Sequence, residues 1–182
     1  MTPSINWNLE RGDTTGWQTR SSGSGAWQLF ADATPAPDPS AGDPLGRFAA
    51  VTDMGAPGTR ILYRDVLLDG RVTLHLTLLY DNQAAEFASP ESLDFDRCRP
   101  NQQFRVEIMD PAAPVDSLAP RHVLATVFRT APGDRGMLGP RRMSFDLSRW
   151  EGRTVRIRFA QVDNRGPLRA GLDDVRLEAV GA

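Results

Sequence analysis

The chain of 182 residues contains no lysine: all 21 of its basic residues are arginine. Without an ε-amine there is no Schiff-base lysine, no lysine general base and no lysine for a phosphate-cradling loop. Cysteine is nearly as scarce. Cys98 stands alone, so no disulfide can form within the chain, and cysteine-rich zinc sites are excluded. Two histidines, His75 and His122, are too few for a histidine-rich metal centre. No apolar run reaches the length of a membrane-spanning helix, so membrane insertion is not expected. A dominant charge is lacking too. With 21 basic against 23 acidic residues, the net charge is −2, without the basic surplus that nucleic acid or an anionic membrane selects. Met1-Thr2-Pro3-Ser4 shows no basic stretch followed by an apolar one, the pattern of a secretion signal.

What is present is ordinary globular material, 40% hydrophobic and 24% charged. That suffices for one domain over residues 1–182 with a sizeable core. Glycine (16) and proline (14) divide it into short pieces, and long helical periodicity is missing. Two-residue alternation is common. Val72, Leu74, Leu76, Leu78 and Tyr80 share one face of a run, as do Phe104, Val106 and Ile108, and again Val155, Ile157 and Phe159. Each reads as a strand with one buried and one solvated face. Further strands are expected over 26–32, 46–53, 60–68, 122–129, 142–147 and 170–177. About ten short strands with turn signals between them predict an all-β fold, a two-sheet antiparallel jelly-roll sandwich. Residues 34–44, 83–103 and 110–120 are proline-punctuated and read as long loops, with a short helical turn expected inside one of them.

Three stretches stand out. The first is Asn8-Leu9-Glu10-Arg11-Gly12-Asp13-Thr14-Thr15-Gly16-Trp17. The second runs from Phe145-Asp146-Leu147-Ser148-Arg149-Trp150 to Val155-Arg156-Ile157-Arg158-Phe159. The third is Gly171-Leu172-Asp173-Asp174-Val175. In this order, across essentially the whole chain, they resemble the galactose-binding-like jelly rolls of bacterial exported proteins, which include carbohydrate-binding modules and MAM-type adhesion domains. Leu9 departs from the pattern, where an aromatic is usual. The resemblance implies a non-catalytic module, secreted or at the cell surface, whose partner is a glycan or a cell-surface component. A structural or adhesion domain making protein–protein contacts is the alternative, and a small hydrolase a more distant one, because fold does not dictate function.

Glu10, Asp13, Asp173 and Asp174 are carboxylates flanking the first and last strands, and Gly12 and Gly16 permit tight turns that aim carbonyl oxygens inward. Calcium takes six to eight oxygens of this kind. These residues also read as solvated turn carboxylates, or as partners of arginine. The resemblance implies a structural calcium held by an acidic residue of the first motif and one of the terminal pair. Glu10 and Asp173 are then the foremost ligands, with Asp32, Asp174 and Asp13 behind them.

Trp17 and Trp150 match aromatic positions that pack the sandwich. Trp27 is the sharpest candidate for stacking on a sugar ring, with Arg158 and Gln161 to bond its hydroxyls, although plain burial serves Trp27 equally. His75, opposite the apolar register of its strand, faces ligand or solvent. Arg11-Gly12-Asp13 matches an adhesion-receptor tripeptide without supporting context. No histidine adjoins Ser144 or Ser148 in sequence to suggest a hydrolytic triad.

Overall fold

A computed structural model describes residues 5–6, 16–31, 48–53, 55 and 57–180 of the chain. Within them are eleven strands: β1 (Ile5–Asn6), β2 (Gln18–Gly23), β3 (Trp27–Ala31), β4 (Phe48–Thr52), β5 (Gly58–Leu67), β6 (Val72–Asn82), β7 (Gln102–Met109), β8 (Val123–Arg129), β9 (Met137–Asp146), β10 (Thr154–Asp163) and β11 (Leu168–Ala179). A single 3-10 turn, Ser148–Trp150, is the one helical piece among the described residues; it lies between β9 and β10, not in any of the predicted loops. No helix there is long and apolar enough to cross a membrane.

Every strand pairing among the described residues is antiparallel. One sheet has the order β3-β4-β11-β6-β9, with β1 also on β11; the other has the order β2-β5-β10-β7-β8. The two sheets form the expected jelly-roll sandwich. The alternation read from the sequence fixes which faces meet. Leu74, Leu76 and Leu78 of β6 face Phe104, Val106 and Ile108 of β7 and Val155, Ile157 and Phe159 of β10 in one buried cluster. Trp17, Trp27, Tyr80 and Trp150 join it, and Trp17 lies 5.5 Å from Phe159, ring centre to ring centre.

Two differences from the sequence reading have physical causes. β2 (QTRSSG) was not expected as a strand, because it is an exposed edge with no apolar face to alternate. β9 starts five residues before the predicted Arg142, its first half being equally poor in apolar alternation.

The predicted loop at 83–103 ends two residues early, where β7 begins at Gln102. It packs with the 110–120 loop on the outer face of the five-stranded sheet, where Ile61, Leu93, Val115, Leu118, Ala160 and Val162 form a second buried cluster. That face was expected in solvent. Instead, every residue of β7 is buried, and so is β10 after Thr154.

Candidate functional site

The polar residues of that outer face explain how it is covered. Arg158 and Glu107 are cross-strand partners on β10 and β7, both buried and ion-paired. Arg105 adds a second guanidinium to the same carboxylate, its Nε 2.8 Å from Glu107 Oε1. Arg158 then turns its Nη1 to the 110–120 loop, donating to the carbonyls of Val115 (2.6 Å) and Ser117 (2.8 Å). Arg156 grips Asp65 through Nε (2.6 Å) and Nη2 (2.9 Å), and donates to the carbonyls of Ala113 and Pro111. Its guanidinium also lies over the ring of Tyr63. Only a planar fork with several donors makes such paired contacts, so the arginine-for-lysine bias has a structural use here. Burial lowers the Arg158 pKa, and Glu107 opposes that shift.

The other loop is held by amides. Gln103 donates to the carbonyls of Pro90 and Ser92, and Asn101 to those of Ser92 and Asp94. Thr59 of β5 donates its hydroxyl hydrogen bond to Leu93.

Where the two loops stop short of the exposed strand β2 they leave a groove of about 500 Å³. Ile61, Leu93 and Leu118 give it an apolar floor, and Arg20, Ser22, Asp94 and Asp116 stand on its rim. Most of the rim carboxylates face an arginine. Arg20 meets Asp116 at 3.4 Å, Glu91 meets Arg129 at 3.4 Å, and Asp96 meets Arg99 at 3.2 Å. Asp94 accepts the backbone N–H groups of Arg97 and Asp96, which hold its pKa below the usual range. The groove is therefore lined with fixed donors and acceptors over an apolar base, the general make-up of a small-ligand site. Sequence reasoning missed it: none of these residues lies in a motif, and the floor assembles from three distant segments.

The sequence-predicted ligand contacts lie elsewhere. Trp27 is a core residue, its indole N–H bonded to the Arg60 carbonyl at 3.2 Å and its ring packed near Phe104, so it offers no open face to a sugar. Gln161 is brought close to it, accepting from Arg60 Nη1 at 2.9 Å, but is fully buried between the sheets. Arg158, an odd number of positions away on β10, points to the opposite face and is buried as well. These three correct the expected sugar platform, for which burial leaves no access. His75 sits on the outer face of the six-stranded sheet, 3.3 Å from Glu178. His122 accepts or donates at 2.7 Å with Ser117 through Nδ1, while its Nε2 meets Arg121; Ser117 also accepts the Ala119 N–H, so the contact braces a turn.

At the expected metal site the described portion is one-sided. β1 pairs with β11 through Ile5–Leu177 and Asn6–Arg176, so the first and last described strands lie side by side. Asp173 is buried, opposite Thr77 on β6, and accepts the Asp174 N–H at 2.6 Å. Asp174 has a positive φ of 48°, one extra residue is inserted in β11 before Arg176, and its carboxylate pairs with Arg176. Asp tolerates this left-handed conformation better than most residues, which suits it to a bulge. Gly16, in the first motif, has φ +82° as its turn role requires, and a Cβ there would meet the Arg64 guanidinium at 2.7 Å. Glu10, Asp13 and Asp32 lie outside the described residues. Among the described residues no three His, Cys, Asp or Glu side chains gather as a metal site.

With both sheets and the groove in view, the chain has a two-sheet antiparallel jelly-roll fold. Solved structures align with nearly its whole length. The K2 cleaved adhesin domain of Lys-gingipain superposes with a TM-score of 0.59 at 12% identity, over 97% of this chain and 99% of that one. The K1 cleaved adhesin domain of Lys-gingipain from Porphyromonas gingivalis W83 gives 0.56 at 14% identity, over 98% and 99%. TmCBM61, solved in complex with β-1,4-galactotriose, gives 0.55 at 14% identity, over 95% and 94%. At these identities the likeness is one of fold. No family model matches the chain, and no curated protein does.

Proposed function

We propose that this protein is a non-catalytic binding module, secreted or at the cell surface, that takes an uncharged glycan in the groove beside β2. The observation that carries the reading is the groove itself. Its apolar floor suits the C–H face of a pyranose, and its rim of guanidiniums, carboxylates and hydroxyls offers donors and acceptors to sugar hydroxyl groups. The fold it shares with TmCBM61 supports the same reading. A glycan array followed by calorimetry tests it. Binding of a neutral oligosaccharide that Asp116→Ala weakens supports the proposal; silence across the array, with capture of a protein ligand by the same face, replaces it with an adhesion role.

Calcium belongs to the same proposal. Asp173, buried in the last strand, fits a ligand role, whereas Asp174 is already engaged by Arg176. Glu10 is the complementary ligand, with Asp13 and Asp32 as further oxygen donors. A resident ion would neutralise buried carboxylate charge and tie the chain ends together. Ligand binding to the folded state alone stabilises by about 2.7 kcal/mol at a hundredfold excess over Kd. Melting should therefore rise with calcium and fall with chelator, and Glu10→Gln or Asp173→Asn should abolish most of the shift. A melting temperature indifferent to calcium would leave Asp173 a structural residue only.

A further inference from the structure

The arginine that covers the sheet also shapes the groove. Arg158 Nη1 holds the carbonyls of Val115 and Ser117 at 2.6 and 2.8 Å. Asp116, the residue between them, projects from that clamped peptide to the groove rim, where it meets Arg20 of β2. We propose that Arg158 is a positioning residue for the groove: by gripping the backbone on both sides of Asp116 it fixes the Asp116–Arg20 pair and the width of the opening. This rests on the reading that the groove is the binding site.

Three features support it. Arg158 has no exposed surface, so it acts on a ligand only through what it holds. Its guanidinium is anchored from behind by Glu107, which is itself fixed by Arg105. Arg156 braces the Ala113 end, and Val115 and Leu118 pack into the outer cluster. Around Asp116 its own bonds are short-range: Ala113 N–H to Asp110, Ser117 N–H to Pro114, and Ala119 N–H to the Ser117 hydroxyl.

Removal of Arg158 is structurally tolerable in a way that loss of Glu107 is not. Arg158→Met keeps the volume and leaves Arg105 and Glu107 as a matched pair, so no buried charge is orphaned. The experiment compares wild type, Arg158→Met and Arg156→Met by amide hydrogen exchange, without ligand. In Arg158→Met, the amides of Ser117 and Ala119 should exchange about tenfold faster, the factor expected when hydrogen bonds to a charged group are lost. Amides of β5 and β10 should keep their protection. Arg156→Met should loosen the Ala113 end instead. Unchanged exchange at Ser117 and Ala119 overturns the proposal, as does equal loss of protection throughout the sheet.

A double-mutant cycle on glycan affinity adds the functional readout. Asp116→Asn should weaken binding in the wild type and have little further effect in Arg158→Met. Equal effects in both backgrounds would show that Arg158 does not position Asp116. If no glycan binds wild type, the proposed function fails, while the exchange experiment still decides whether Arg158 holds the rim.

Discussion

The sandwich has two buried layers made from opposite chemistry. Between the sheets lie mostly leucine, valine, isoleucine and aromatic rings, held by area removed from water, with one polar cluster of Arg60, Gln161 and Asp163 among them. On the outside of the five-stranded sheet lies a thinner layer in which Arg105, Glu107, Arg156 and Arg158 are buried beside a smaller apolar cluster. The inner layer tolerates any well-fitting hydrophobe; the outer one depends on each charge keeping its partner. The inner layer joins two regular sheets, whereas the outer one fastens irregular loops whose carbonyls need donors that no strand supplies. The six-stranded sheet shows the contrast on its own outer face. There His75, Glu178 and Arg176 form a partly exposed ladder, and such pairs contribute little.

The sharpest way to break this comparison is Glu107→Gln. It keeps size but leaves the Arg105 and Arg158 guanidiniums buried without a counter-charge, and should cost about 3–5 kcal/mol in urea unfolding. Next comes Leu76→Ala in the inner layer, expected to cost about 2–4 kcal/mol through lost transfer energy and a residual cavity. If Glu107→Gln proves milder than Leu76→Ala, the outer layer admits water and the contrast is weaker than drawn. Arg156→Lys should be smaller still, about 1–2 kcal/mol, because lysine keeps the charge but cannot span Asp65 and two loop carbonyls together.

The mildest effect is one of pH and concerns Asp163. Burial raises its pKa above the usual 3.8, against the opposing influence of Arg60, whose Nη1 lies 3.0 Å from its Oδ1. A carboxyl whose folded pKa is raised stabilises most below its unfolded pKa, and that contribution is lost as pH rises through the folded value. Between pH 4 and neutrality, stability should therefore decline by an amount that Asp163→Asn removes. Thermal melts of both proteins across that range check it; parallel curves would mean that Arg60 holds Asp163 ionised throughout.

The inner layer was legible because alternation in β6, β7 and β10 assigns each apolar side chain to one face. The outer layer was not. Arg156 and Arg158 obey the same alternation on the polar side, and nothing local distinguishes an arginine in solvent from one beneath a loop. Faint signals existed. Ala160 and Val162 place apolar residues on the polar face of β10, and Leu93, Phe95, Val115 and Leu118 are large apolar groups in loops that need cover. The bulge at Asp174 was also readable, since Ala170 and Leu172 keep one parity and Val175 and Leu177 the other. Trp27, Gln161 and Arg158 make no sugar platform because all three are buried, and alternation along β10 puts Gln161 and Arg158 on opposite faces. The groove arises from long-range assembly, and no window of sequence contains it.

The pairing of β1 with β11 has a mechanical consequence. Ile5 lies opposite Leu177 and Asn6 opposite Arg176, so Ile5 and the last residues of β11 point to the same end of the sheet. Tension applied through the two flanks would pull β1 away from β11 like a zipper, loading one pair of bonds at a time rather than shearing them all together. The sandwich would yield at that short strand under small force, while the long β6–β11 ladder stayed intact. An ion bridging Asp173 to the first motif would act as a catch on that zipper, and single-molecule stretching with and without calcium would register its strength.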